Sequence, residues 1–114
     1  MKTPLVQRFA DYLAAYSAKD MPTIAQMFAA EVRLRDWKIS VAGREAALAE
    51  TRKNFSAARS IAIDILATYE SAGAVAGELR IVVDESEVLN VVDVVSFDAQ
   101  GQIASIRAYL GRAD

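Results

Sequence analysis

The stretch that decides the fold is Val88-Leu89-Asn90-Val91-Val92-Asp93-Val94-Val95-Ser96-Phe97. Its valine content and two-residue period predict a strand. Leu89, Val91, Val95 and Phe97 share a face with Asp93, and Val92 and Val94 lie on the opposite face. Downstream, Asp98-Ala99-Gln100-Gly101 reads as a turn into a last strand, Gln102 to Leu110. Upstream, the run from Ala74 to Asp84 places Val75, Leu79, Ile81 and Val83 together, and Glu85-Ser86 forms the next turn. Ile61, Ile63, Ile65 and Ala67 alternate with Ala62, Asp64, Leu66 and Thr68. Strands joined so closely predict an antiparallel meander, with no room for parallel crossovers.

The first half has a different period. Leu5, Phe9, Tyr12, Leu13 and Tyr16 form one apolar stripe of a helix. Ser17, Lys19 and Asp20 break it, and Asp20 is placed to cap a second helix with Pro22 in its first turn and Ile24, Met27 and Phe28 on its buried side. From Glu31 the period becomes two: Val32, Leu34 and Asp36 share one face, and Arg33, Arg35 and Trp37 the other. A short strand from Ile39 to Val41 follows, then Gly43 and a third helix from Arg44 to Phe55. Helices first and strands last predict an α+β fold, with the helices on one side of a curved, mostly antiparallel sheet. At 114 residues, with no linker or repeat, residues 1–114 are expected to form a single domain.

Composition removes whole classes of chemistry. The chain has no cysteine and no histidine, so thiol nucleophiles, histidine bases and zinc sites built on either are excluded. A net charge of -2 gives no cationic face for nucleic acid. No apolar run approaches the ~20 residues of a membrane-spanning helix. Met1 to Asp11 carries no apolar core of signal-peptide length, so a cytoplasmic location is expected.

Proton chemistry would then fall to carboxylates, tyrosines, lysines or arginines. Asp93 interrupts an apolar strand face, where a lone charge is costly. It is neutral, or paired with Arg80 or Arg107, or it faces a wet cavity or a dimer-facing side. Asp36 is either a carboxylate at a cavity mouth or a turn residue bonding local amides. Tyr12 and Tyr16, four apart on one helix face, are core aromatics or hydroxyl donors. Trp37 is a pocket wall or a dimer contact. Arg33 and Arg35 mark a solvated or interfacial face.

The segments Asp11-Tyr12-Leu13-Ala14-Ala15-Tyr16, Lys19-Asp20, Met27-Phe28-Ala29, Arg35-Asp36, Gly43, Val92-Asp93-Val94-Val95-Ser96-Phe97-Asp98, Gly101 and Ile106-Arg107-Ala108-Tyr109 occur in this order. In order and spacing the chain resembles the NTF2-like superfamily, in its ketosteroid-isomerase-like and SnoaL-like polyketide-cyclase branch. The resemblance implies a cone of curved sheet closed by helices around an apolar pocket, and homodimers packed through the sheets. It also implies a cofactor-independent and metal-free enzyme that moves a proton on a small or medium apolar carbonyl compound through an enolate. Asp36 matches the general base, Tyr12 the oxyanion-hole tyrosine and Asp93 the protonated oxyanion-hole acid. Tyr16, Trp37, Phe55 and Val95 are expected to line the substrate pocket. The chain departs from the isomerases at Trp37, where they carry proline, in a shorter loop from Trp37 to Gly43, and at Thr51, near the place of a supporting tyrosine. The same resemblance leaves room for a non-catalytic binder of small apolar ligands, a dimeric interaction module, or an aldol cyclase or hydratase.

Overall fold

The change of period near Phe28 is where helix gives way to strand. In a computed structural model describing residues 3–114, helix α1 spans Leu5–Ser17 and α2 Met21–Met27. Strand β1 then begins directly, at Phe28–Arg35, followed by β2 (Ser40–Ala42), α3 (Arg44–Ala57), β3 (Ile61–Ser71), β4 (Ala74–Val83), β5 (Glu87–Phe97) and β6 (Ile103–Leu110). Met1 and Lys2, which open the stretch searched for a signal peptide, lie outside the described residues.

Local chemistry sets the boundaries. The Asp20 side chain accepts a hydrogen bond from the Thr23 amide at 3.2 Å, capping α2. Gly43 takes φ +95°, a left-handed conformation suited to glycine, while its amide donates to the Val32 carbonyl at 2.8 Å. The Arg44 guanidinium then donates to the Phe28 carbonyl at 3.1 and 3.2 Å, tying the start of α3 to β1. The Asp84-Glu85 hairpin has both residues at positive φ, which twists it to suit the flanking strands. The Asp84 carboxylate accepts from the Arg59 and Ser60 amides at 2.6 and 3.2 Å, so this hairpin also clamps the exit from α3.

All six strands form one curved sheet in the order β2-β1-β6-β5-β4-β3. The meander from β3 to β6 is antiparallel throughout, as its short turns require. One pairing lies outside the meander: β1 runs parallel to β6, within the mostly antiparallel sheet expected from the sequence. The strands meet from distant parts of the chain, and the intervening helix and meander supply the crossover that adjacent strands lack.

The core lies between the helices and one face of the sheet. Phe9, Leu13 and Ile24 from the helices meet Val75, Leu79, Val95 and Ile106 from the strands. Phe9 packs directly over Gly77; a Cβ there would lie 2.4 Å from the Phe9 ring. The ring is fully buried in a close-packed core. Gly77→Ala is therefore expected to lower stability by about 1–3 kcal/mol, the usual cost of overpacking. Urea unfolding reads this directly, and an unchanged midpoint would contradict the close packing of α1 on β4.

Candidate functional site

Sheet register brings the two acids to one place. On β5, Asp93 lies opposite Gly77 of β4 and Ala108 of β6. In the parallel pair, Leu34 is level with Ile106 and Arg35 with Arg107. Asp36 follows Arg35 just past the end of β1, and Ala108 follows Arg107 within β6. Asp36, Ala108 and Asp93 thus come from the end of β1, from β6 and from β5, which are neighbours in the sheet. The small Ala108 in the middle leaves room above it for a ligand. All three residues line a cavity of about 650 Å³.

The cavity lies between the sheet and the faces of α1 and α3. Ile61, Ile63, Ile81, Leu89, Val91 and Ile106 contribute apolar walls, while Lys38, Glu50, Lys53 and Asp84 add polar groups. Tyr12 and Tyr16 enter from α1, and Trp37 comes from the turn after β1 and is 42% exposed.

Asp36 fills both roles left open by the sequence. Its Oδ1 accepts hydrogen bonds from the Lys38 and Ile39 amides at 2.7 and 2.9 Å, forming a local turn. The same half-buried residue lines the cavity, and its Oδ2 makes no hydrogen bond among the described residues. The backbone therefore fixes the carboxylate while leaving one oxygen for a ligand.

Asp93 is only 8% exposed and has no arginine partner among the described residues. Arg80 reaches Asp64 at 3.9 Å on the exposed side, and Arg107 stands opposite Val94 on the other face of the sheet. Burial pushes the Asp93 carboxyl up to about 7, and the negative charge of Asp36 adds to the rise. Near neutral pH it carries its proton in a substantial fraction of molecules and can donate a hydrogen bond.

Tyr12 is 4% exposed, its ring 6.2 Å from Phe28 and 6.0 Å from Tyr16, centroid to centroid. Burial raises its pKa well above the ordinary phenol value, with Tyr16 and Asp93 contributing, so its hydroxyl remains a donor. Tyr16 is likewise raised by burial and, more weakly, by Asp93 and Asp36; its hydrogen bond with Asn54 acts in the opposite direction.

Five of the residues singled out in the sequence therefore meet at the cavity: Tyr12, Tyr16, Asp36, Trp37 and Asp93. Phe55 and Val95 do not line it. Val95 is fully buried between Val75 and Ile106 in the sheet, and Phe55 turns its ring edge onto Tyr16 at 4.9 Å. Both belong to the core. Asn54 was not anticipated, although its spacing from Glu50, Thr51 and Ala57 puts all four on adjacent positions of one helical face. Thr51 lines the cavity but donates its hydroxyl to the Ala47 carbonyl at 2.9 Å. Among the described residues, no group of three or more acidic side chains is clustered to hold a metal ion.

A carboxylate with one free oxygen, a buried acid raised to about 7 and a phenol line one cavity. Such an arrangement can remove a proton on one side and stabilise developing negative charge on the other.

Comparison with known proteins gives the family and, separately, the fold. The SnoaL-like domain model matches residues 7–106. A steroid Δ-isomerase from Nocardioides simplex is 31% identical over 108 residues, covering 92% of this chain and 88% of that protein. An NTF2-like protein of unknown function from Cytophaga hutchinsonii superposes with a TM-score of 0.81 at 11% identity, covering 97% of this chain and 93% of the other. A SnoaL-like protein from Agrobacterium tumefaciens, named as a candidate isomerase, gives 0.78 at 14% identity, with 93% and 97% covered. The two structures establish the likeness of fold, and the family match and the isomerase relative establish membership: this chain belongs to the SnoaL-like family of NTF2-like domains.

Proposed function

We propose that the cavity binds a small or medium apolar carbonyl compound and shifts a proton on it through an enolate. The observation that carries this reading is one cavity lined by Asp36, with a free carboxylate oxygen, and by the buried acid Asp93, raised to about 7. Asp36 Oδ2 takes a proton from the carbon next to the carbonyl; the electron pair of that C–H bond forms a carbon–carbon double bond, and the carbonyl π pair moves onto the oxygen. Tyr12 and neutral Asp93 donate hydrogen bonds to the resulting oxyanion. Asp36 returns the same proton to a more distant carbon, and the double bond moves. The scheme uses no cofactor or metal and assumes a cytoplasmic setting.

The name of the Nocardioides simplex relative supports choosing a β,γ-unsaturated ketone as first substrate. The test offers a β,γ-unsaturated 3-ketosteroid and a smaller β,γ-enone, and follows the ultraviolet absorbance of the conjugated product. Turnover above the buffer rate is expected with at least one. Tight binding of both without conversion would replace the enzyme reading with that of a ligand binder; aldol or hydration products would indicate the cyclase or hydratase chemistry.

The protein is also proposed to act as a homodimer. Tyr69, Val82, Val88, Val92, Val94 and Tyr109 lie on the sheet face turned away from the helices, with Tyr69, Val88 and Tyr109 44–57% exposed. Arg35 stacks on Tyr109 at 5.1 Å and donates to its hydroxyl at 2.7 Å, giving this face an ordered polar edge. Apolar surface of this kind favours burial against a second copy. Light scattering at micromolar concentration should give twice the 12.4 kDa chain mass; a 12.4 kDa particle would contradict the dimer.

A further inference from the structure

Tyr16 lies one turn beyond Tyr12 on α1, and its hydroxyl has no part in the proton shift described above. Asn54 Nδ2 donates to it at 2.9 Å from across the cavity, on α3. This is the only hydrogen bond of the Tyr16 hydroxyl among the described residues, and in it the oxygen is the acceptor. The hydroxyl proton is therefore free to be donated elsewhere. The Asn54 amide likewise retains its carbonyl oxygen and a second N–H.

The ring itself is held. Its edge contacts with Tyr12 at 6.0 Å and Phe55 at 4.9 Å leave little freedom to turn. Both Tyr16 and Asn54 line the cavity; Tyr16 is half-buried and Asn54 is exposed. Neighbouring polar groups on α3 are already engaged: Thr51 donates to Ala47, and Glu50 pairs with Lys53 at 2.9 Å. The pair is thus a fixed polar station between the deep donors and solvent.

We propose that Tyr16 and Asn54 form a second anchor, which holds an oxygen of the ligand remote from the reacting carbonyl. This rests on the enolate reading for the position of the first oxygen, at Tyr12 and Asp93. Its consequence is a substrate class: carbonyl compounds bearing a second hydroxyl or carbonyl oxygen, in preference to those with one oxygen.

Fluorescence titration with 2-naphthol, a one-oxygen phenolic mimic of the enolate, and with a set of dihydroxynaphthalene isomers tests this. At least one isomer should bind about tenfold tighter than 2-naphthol, the gain from one or two additional net hydrogen bonds. In Tyr16→Phe, which keeps the packed ring, the preference should fall below about twofold, while affinity for 2-naphthol itself changes less than about threefold. Asn54→Ala should weaken the preference in the same direction. A pair that only joined α1 to α3 would alter melting temperature and leave the preference intact. Absence of any preferred isomer, or its persistence in Tyr16→Phe, overturns the second anchor. Tyr12→Phe serves as the control for the underlying reading: if it leaves 2-naphthol binding unchanged, the enolate site is wrong, whereas the isomer preference still stands or falls with Tyr16. If no probe binds at millimolar concentration, both are overturned.

Discussion

Asp93→Asn is expected to be more stable than the wild type at pH 8, and by a smaller margin at pH 5. The carboxyl titrates at about 7 in the folded protein and at ~4 in an unfolded chain. Between those values the folded state holds more protons than the unfolded state, so stability falls as pH rises. The loss begins above pH ~4, is complete above pH ~7, and amounts to about 4 kcal/mol for a shift of this size. Asparagine has no proton to lose and keeps nearly the same shape. The stability of the variant relative to wild type should therefore increase by about 3 kcal/mol between pH 5 and pH 8. Urea unfolding of both proteins at the two pH values measures this, and other titrating groups cancel in the comparison. Parallel pH dependences would show that Asp93 is not a buried, uncompensated acid. The wild-type residue is expected to persist at this cost because a neutral acid at this position donates to an enolate.

Asp36→Asn should lower kcat by about 10²–10⁴-fold on a substrate that the wild type isomerises, because an amide cannot accept the proton. The amide oxygen can still accept from the Lys38 and Ile39 backbone, so the turn should survive. Asp93→Asn retains a donor and should lose less activity. Asp93→Ala removes the donor and should lose more than asparagine, toward the 10²–10³-fold typical of an oxyanion donor. Asp36→Asn is thus the most damaging of the three. Activity within tenfold of wild type in Asp36→Asn, with the variant folded, would remove Asp36 from the role of base.

Much of this arrangement is legible in local pattern. The period change near Phe28, the Asp20 cap and the one-sided face of Val91, Asp93 and Val95 are each contained within a few residues. Asp36 and Asp93 stand out because carboxylates interrupt apolar alternation, and both line the cavity. What local pattern does not contain is long-range register. The parallel pairing of β1 with β6 leaves no local mark, yet it brings the end of β1, and Asp36 just after it, beside the strand that pairs with β5 and Asp93. Phe55 and Val95 have the apolar character of cavity residues, but packing decides which apolar residues face empty space and which face one another. The Tyr16–Asn54 contact joins residues 38 positions apart, and neither side chain announces the other. Thr51 and Asn54 are three apart on α3, but the orientation of that face toward α1 depends on how β1 and α3 are tied at Gly43 and Arg44.

The most direct test of the account is a carboxyl titration of Asp93 by NMR in the free protein. The account predicts a midpoint near 7, displaced upward by burial and by the Asp36 charge. In Asp36→Asn the midpoint should move down, because the neighbouring negative charge is gone. A midpoint near ~4, as for a solvent-exposed aspartate, would contradict a neutral acid in this cavity and with it the proposed stabilisation of an enolate.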